Sequence, residues 1–260
     1  MELVELAAAV RAALPDVLLA LDFDGTLAPI VTDPADSRPL PGALAALRTL
    51  AGRGAQVAVI TGREAQTVLA LGGLAAVPRL VIEGLYGAET WQGGMLSTPA
   101  PPAAIDVLRR RLPAVLRAAG ADPRVWIEDK RLSLVVHGRR AGAAEAALDP
   151  LRAPIAGLAA ELGLEVHPGR GVLELRLPGP DKAGALRRLV AHSGAQAVLF
   201  AGDDLGDLPA FAEIRALRAA GLLAWSVGVS SAEVPQVAAA ADVEVDGPAG
   251  VLELLLAIVG

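Results

Sequence analysis

The sequence predicts an α/β fold: a Rossmann-like, doubly wound parallel sheet interrupted by an inserted α+β domain. Three observations carry this. Apolar runs of strand length alternate with Ala/Leu-rich helical stretches in the first and last thirds of the chain. Those runs are continuous rather than alternating, as expected for strands covered on both faces. The middle third instead reads as helix, hairpin, helix, hairpin, a separate architecture.

In order, 17–22 (VLLALD) is a strand, 41–54 an amphipathic helix closed by glycine, and 56–62 (QVAVITG) a second strand. A helix at 63–71 and a third strand at 79–84 follow. After the proline-rich stretch 97–104 and a helix, 124–140 reads as two antiparallel strands with a polar turn at Glu128 to Arg131. A helix at 141–162 leads to a second hairpin, 164–179, turning at Pro168 to Gly171. The α/β pattern then resumes with helix 182–192, strand 197–204, helix 207–219, strand 222–228, helix 233–240 and a short strand near 242–245. The apolar end GVLELLLAIVG reads as a packed last helix. The expected division is a core made of 1–98 and 181–260, with 99–180 inserted.

With 260 residues, 53% hydrophobic but only 3% aromatic, the core is built mainly from Ala, Val and Leu. A net charge of −6 gives no basic face for nucleic acid. The absence of cysteine excludes disulfides and thiolate metal sites. No apolar run approaches the roughly 18–20 residues that span a bilayer, and the start, carrying Glu2 and Glu5, lacks a signal-peptide charge pattern. A soluble cytoplasmic protein without membrane or nucleic-acid partners is expected.

Ligands of open α/β sheets bind beyond the carboxyl ends of the strands. Asp22 and Asp24 follow the first strand there, Thr61, Gly62 and Arg63 the second, and Asp203, Asp204 and Asp207 a late one. Lys182 opens the helix before that late strand. Aspartates this close resist joint ionisation unless a cation is shared. An oxygen-only donor set favours Mg2+, which also accepts phosphate and water. A phosphate beside it would draw charge from Lys182 and hydrogen bonds from Thr61 and the amides around Gly25 and Thr26. One aspartate can then attack phosphorus, and the other can serve the leaving alkoxide and the hydrolytic water.

On these residues the chain resembles the haloacid dehalogenase-like phosphatases, with DFDGT, TGR, Lys182 and GDDLGD matching their four motifs in order. The resemblance implies Asp22 as nucleophile and Asp24 as acid/base. It implies metal ligands from the Asp22 carboxylate, the Asp24 carbonyl and Asp203, with Asp204 and Asp207 in support. The inserted unit would be a C2-type cap.

Over nearly the whole chain the sequence is similar to the trehalose-6-phosphate phosphatases. DFDGTLAPI, EGLYGAE (83–89), EDKRLSLVVHGR and GVLELRLPGPDKAGAL carry this similarity. It brings Glu128, Lys130, Arg139 and Glu174 forward as sugar-binding residues of the cap, beside Gly25, Thr26, Gly62 and Arg63 around the phosphate. Tyr86, Asp129, Gly138, Ala183 and Gly206 depart from the family pattern and bear on sugar recognition. His137, His167 and His192 read as ordinary structural histidines. Of the tryptophans, Trp126 is the one that shares a strand face with Glu128 and suits sugar stacking.

The implied activity is hydrolysis of trehalose 6-phosphate, with a functional link to a trehalose-phosphate synthase. The same chemistry on sucrose phosphate or a mannosyl phosphoglycerate is the alternative. A non-catalytic sugar-phosphate sensor would be expected to lack one of Asp22, Asp24, Lys182 or Asp203, and all four are present.

Overall fold

A computed structural model describes residues 1–230 and 235–260, which divide into two compact units: Met1–Thr98 with Pro180–Gly260, and Pro99–Gly179. The first unit opens with α1 (Leu3–Ala12), β1 (Val17–Leu21), α2 (Ala43–Gly52), β2 (Gln56–Ile60), α3 (Ala65–Gly72) and β3 (Val81–Gly84). Two short strands, β4 (Glu89–Gln92) and β5 (Met95–Ser97), follow.

The second unit contains α4 (Ala103–Ala118), β6 (Trp126–Asp129), β7 (Ser133–His137), α5 (Ala144–Glu161), β8 (Glu165–Gly169) and β9 (Val172–Arg176). Its sheet is antiparallel, in the order β6-β7-β9-β8. Leu134, Val136, Leu173 and Leu175 pack against Leu108, Leu112, Leu148, Ile155 and Leu158 of α4 and α5. Strand alternation therefore sends Trp126, Glu128, Ser133, His137 and Glu174 to the face opposite the helices. A side chain at Gly138 would meet the Ala144 carbonyl at 2.6 Å. The glycine that departs from the family pattern is thus required by the close approach of α5.

The chain returns to the first unit with α6 (Lys182–Ser193), β10 (Ala197–Gly202), α7 (Leu208–Ala219), β11 (Leu223–Ser230), α8 (Pro235–Ala238), β12 (Val243–Asp246) and α9 (Gly247–Val259). The expected helix 233–240 begins at residues outside the described ones. The large sheet runs β12-β11-β10-β1-β2-β3-β4-β5, and every pair from β12 to β3 is parallel. The pairs β3–β4 and β4–β5 are antiparallel, so the sheet is mixed rather than wholly parallel.

Both faces of β1 are covered, which accounts for its unbroken apolar run. Leu19 and Leu21 join the cluster containing Leu6, Val10, Leu47, Leu50, Leu254 and Ile258. Leu18 and Ala20 join Leu186, Leu189, Phe211 and Ile214 on the other side. Each such leucine contributes about 1.5–3 kcal/mol by leaving water, so the sheet centre is held by helices from both ends of the sequence. Among the described residues no helix is long and apolar enough to cross a membrane.

Candidate active site

Register places the acidic residues. Leu21 lies opposite Ala201 of β10 and Val59 of β2, so the residues just past these strands emerge at one edge. Asp22 is anchored there by its own N–H, which donates to the Ala201 carbonyl at 2.9 Å. The Lys182 ammonium, at the first position of α6, lies 2.8 Å from Asp22 Oδ1 and 2.6 Å from Asp207 Oδ1. Asp207 Oδ2 accepts the N–H groups of Asp203 and Asp204 at 2.9 and 3.0 Å. Asp207 therefore ties the β10 loop to the lysine with both oxygens.

Oxygens of Asp22, Asp203 and Asp207 lie within 4.8 Å of one another, and all three residues are buried, as is Lys182. Burial pushes the Asp22 and Asp207 carboxyls well above the usual carboxylate range, against the pull of Lys182. Burial acts to lower the Lys182 pKa, but Asp207, Asp22 and Asp204 outweigh it and hold the ammonium well above its usual value. Ionised together, these carboxylates would outnumber the one ammonium, and a divalent cation would offset the surplus negative charge. Oxygen donors without sulfur or imidazole suit a hard cation. Since both Asp207 oxygens are already engaged, Asp22 and Asp203 are the better placed ligands and Asp207 the strut.

Two glycines allow this packing. A Cβ on Gly25, whose φ is +82°, would sit 2.1 Å from Asp203 Oδ2. One on Gly202 would sit 2.3 Å from the Asp207 carboxyl carbon. The Gly25 N–H, one of the amides expected near phosphate, donates to the Ala28 carbonyl at 2.7 Å. Thr26, fully buried, directs its hydroxyl to Asp203 Oδ1 at 3.4 Å. Asp204 accepts from Gly206 N–H at 2.9 Å, so Gly206 closes a tight turn where the family pattern has threonine.

Asp24 stands apart from this cluster. Arg63 grips its carboxylate side-on, Nε to Oδ2 at 2.5 Å and a terminal nitrogen to Oδ1 at 2.7 Å. Arg63, expected near phosphate, is thus paired with the second aspartate. Thr61 is buried at the end of β2, and its hydroxyl accepts the Arg63 N–H at 3.1 Å. Tyr86 adopts a left-handed backbone (φ 59°) and donates its N–H to the Thr61 carbonyl at 2.9 Å. A Cβ on Gly62 would fall 2.6 Å from the Tyr86 hydroxyl, so the phenol lies against the glycine of TGR.

Sequence reasoning missed two supporting residues. Glu89 accepts the Ala65 N–H at the start of α3 at 2.5 Å, capping that helix from the neighbouring strand. Its match to the family motif was the available signal. Ser37, fully buried and 3.1 Å from Asp24 Oδ1, had none.

Within the second unit, Glu174 accepts from the Ser133 hydroxyl at 2.6 Å and lies 3.9 Å from the Lys130 ammonium. Glu128 Oε2 is 2.8 Å from His137 Nε2. Arg139 donates to the Arg170 carbonyl at 2.7 Å, bracing the turn between β8 and β9. Trp126 stacks on His137 at 4.0 Å between ring centroids, with the Arg140 guanidinium 4.8 Å over its ring. Its ring is taken up by protein partners, against the stacking role expected of it.

A buried aspartate–lysine cluster beyond the central strands of such a sheet, in a chain carrying an α+β insertion, defines a haloacid dehalogenase-like protein. The family model described as trehalose-phosphatase matches residues 20–249. The trehalose-phosphate phosphatase of Mycobacterium avium (strain 104) is 35% identical over 202 residues, covering 75% of this chain and 50% of that protein. That of Mycobacterium marinum is 33% identical over 205 residues, covering 76% and 51%. The chain belongs to the trehalose-phosphatase family, and spans about half the length of the curated relatives it matches.

Among solved structures, a trehalose-6-phosphate phosphatase related protein aligns with a TM-score of 0.71 and 25% identity, over 92% of this chain and 95% of that one. The C-terminal domain of the Candida albicans trehalose-6-phosphate phosphatase shares the fold, with a TM-score of 0.82 at 21% identity over 99% and 96% of the two chains.

Proposed function

We propose that this chain is a Mg2+-dependent phosphatase that converts trehalose 6-phosphate to trehalose and inorganic phosphate through an aspartyl-phosphate on Asp22. The observation that carries the reading is the buried contact of Lys182 with Asp22 and Asp207 beside Asp203. Family membership supports the substrate.

Mg2+ bound by Asp22, Asp203 and the Asp24 carbonyl would supply positive charge for the phosphoryl oxygens. Lys182 fixes Asp22 Oδ1 and adds its own positive charge, while the Thr61 hydroxyl and the Thr26 amide offer donors to the phosphate. An Asp22 oxygen attacks phosphorus as the bond to the sugar oxygen breaks, and Asp24 gives that oxygen its proton. Asp24 then takes a proton from the water that attacks the phosphoryl group, releasing phosphate and restoring the Asp22 carboxylate. On this reading the supplier of substrate is a trehalose-phosphate synthase, and the setting is cytoplasmic.

Phosphate release from trehalose 6-phosphate, sucrose phosphate and a mannosyl phosphoglycerate, with Mg2+ and with excess chelator, tests the proposal. Turnover should be highest on trehalose 6-phosphate and stop in chelator. Asp22→Asn should lower it by more than about 10³-fold in a folded protein. Full activity of the metal-stripped protein would refute the metal assignment, and an active Asp22→Asn variant the nucleophile.

A further inference from the structure

Asp24 is asymmetrically held. Its Oδ1 accepts two hydrogen bonds, from Arg63 at 2.7 Å and from the Ser37 hydroxyl at 3.1 Å. Its Oδ2 accepts one, from Arg63 Nε at 2.5 Å. A carboxylate offers about two acceptor sites on each oxygen. Among the described residues, Oδ1 is therefore saturated and Oδ2 keeps one site open.

The groups that impose this pattern are themselves fixed. A second terminal nitrogen of Arg63 donates to the Pro34 carbonyl at 2.8 Å, and its guanidinium lies 5.6 Å from the Phe23 ring centroid. Ser37 is fully buried, and among the described residues its single proton has the Pro29 carbonyl, at 3.4 Å, as its one longer alternative. Both partners keep contacts that do not involve Asp24. They form a seat for the carboxylate, not a fortuitous surface pair.

We propose that Arg63 and Ser37 are positioning residues that fix the rotation of the Asp24 carboxylate, so that Oδ2 is the atom that exchanges the proton with the sugar oxygen. This rests on the phosphatase reading above, in which Asp24 is the acid/base. In the first step the proton on Oδ2 passes to the leaving oxygen as the phosphorus–oxygen bond breaks, and Asp24 is left as carboxylate in its seat. A rotating carboxylate would present the proton in the productive geometry only part of the time, and misplaced catalytic groups lose large factors in rate.

The test exploits the leaving group. An acidic leaving group departs without a proton, and a basic one needs it. The rate constant kcat/KM reports only steps up to the first irreversible one, here transfer of the phosphoryl group to Asp22. It should be measured on aryl phosphates of graded leaving-group pKa, from p-nitrophenyl to phenyl phosphate, and on trehalose 6-phosphate. Arg63→Ala should lower it about 10- to 100-fold for phenyl phosphate and trehalose 6-phosphate, and less than about 3-fold for p-nitrophenyl phosphate. The dependence on leaving-group pKa becomes steeper. Ser37→Ala should shift it in the same direction by a smaller factor, and Arg63→Lys should restore part of the loss.

In an Asp24→Asn background, Arg63→Ala should cost less than about 2-fold more, because the two act as one unit. A parallel fall across the whole series, with KM raised, would make Arg63 a phosphate contact and overturn the proposal. So would additive losses with Asp24→Asn. Thermal melts check folding, and if Arg63→Ala does not fold, Ser37→Ala alone decides by the same slope. A native protein that hydrolyses none of these esters would remove the phosphatase reading and this inference together, whereas a flat response in an active enzyme removes only the inference.

Discussion

Lys182 is the residue on which the site's charge balance turns. It is buried against two carboxylates at 2.8 and 2.6 Å, and nothing else cationic contacts them among the described residues. Removing one member of a buried ion pair leaves the other uncompensated, at a cost of about 3–5 kcal/mol. Lys182→Ala should therefore lower thermal stability and abolish turnover of every phosphate ester, p-nitrophenyl phosphate included. Melting curves and phosphate release measured side by side check both halves. An enzyme that kept activity on the small ester would show that Lys182 serves the sugar rather than the phosphoryl group. Arg63, one motif away, should behave differently, since its guanidinium contacts Asp24 rather than Asp22.

At the scale of the element, β11 and β12 are joined by a small polar device. Asp242 Oδ2 accepts from the Ser226 N–H and hydroxyl, both at 2.8 Å, and from Arg218, while the Asp242 N–H donates to the Ser226 hydroxyl at 3.0 Å. Partial burial alone would raise the Asp242 pKa, but the Arg218 and Ser226 donors win and hold it below the usual 3.8. A carboxyl with a depressed folded-state pKa stabilises above its unfolded value and loses that contribution as pH falls through the folded one. Asp242→Asn should thus cost about 1–3 kcal/mol at pH 7. The gap to the native protein should narrow as pH falls below about 3.8. Urea melts at neutral and acidic pH check this, and a gap that stayed constant would exclude the charge as its source.

Central strands such as β1 and β10 were legible because continuous Val/Leu/Ala runs need cover on both faces, and Asp22 and Asp203 were legible because they end such runs. By contrast β4 and β5, the last two strands on one side of the sheet, are short and carry half-exposed residues such as Trp91 and Leu96, and no period marks them. Ser37 reaches Asp24 only through the folding of an irregular loop, which no local pattern encodes.

Over the whole molecule, the two units carry different chemistry, and that division predicts how their substitutions should behave. The first unit gathers the acidic cluster and its lysine. The second presents a sheet face opposite its helices on which Glu174, Ser133 and Lys130 converge, with Glu128 beside His137. Charged groups in mutual contact on a strand face suit the recognition of sugar hydroxyls, which both donate and accept. Trehalose 6-phosphate brings such hydroxyls, and p-nitrophenyl phosphate brings none. A charged hydrogen-bond partner is worth about 1.5–3 kcal/mol, roughly 10- to 150-fold in kcat/KM. Lys130→Ala and Glu174→Gln should therefore lower kcat/KM for trehalose 6-phosphate by such factors and leave p-nitrophenyl phosphate nearly unchanged. Glutamine keeps an acceptor for the Ser133 hydroxyl, so the sheet survives while the charge is lost. Lys182→Ala provides the contrast, since it should reduce both substrates together. Cap substitutions that reduced both equally would assign Lys130 and Glu174 to the stability of the second unit, and the sugar would have to be read elsewhere.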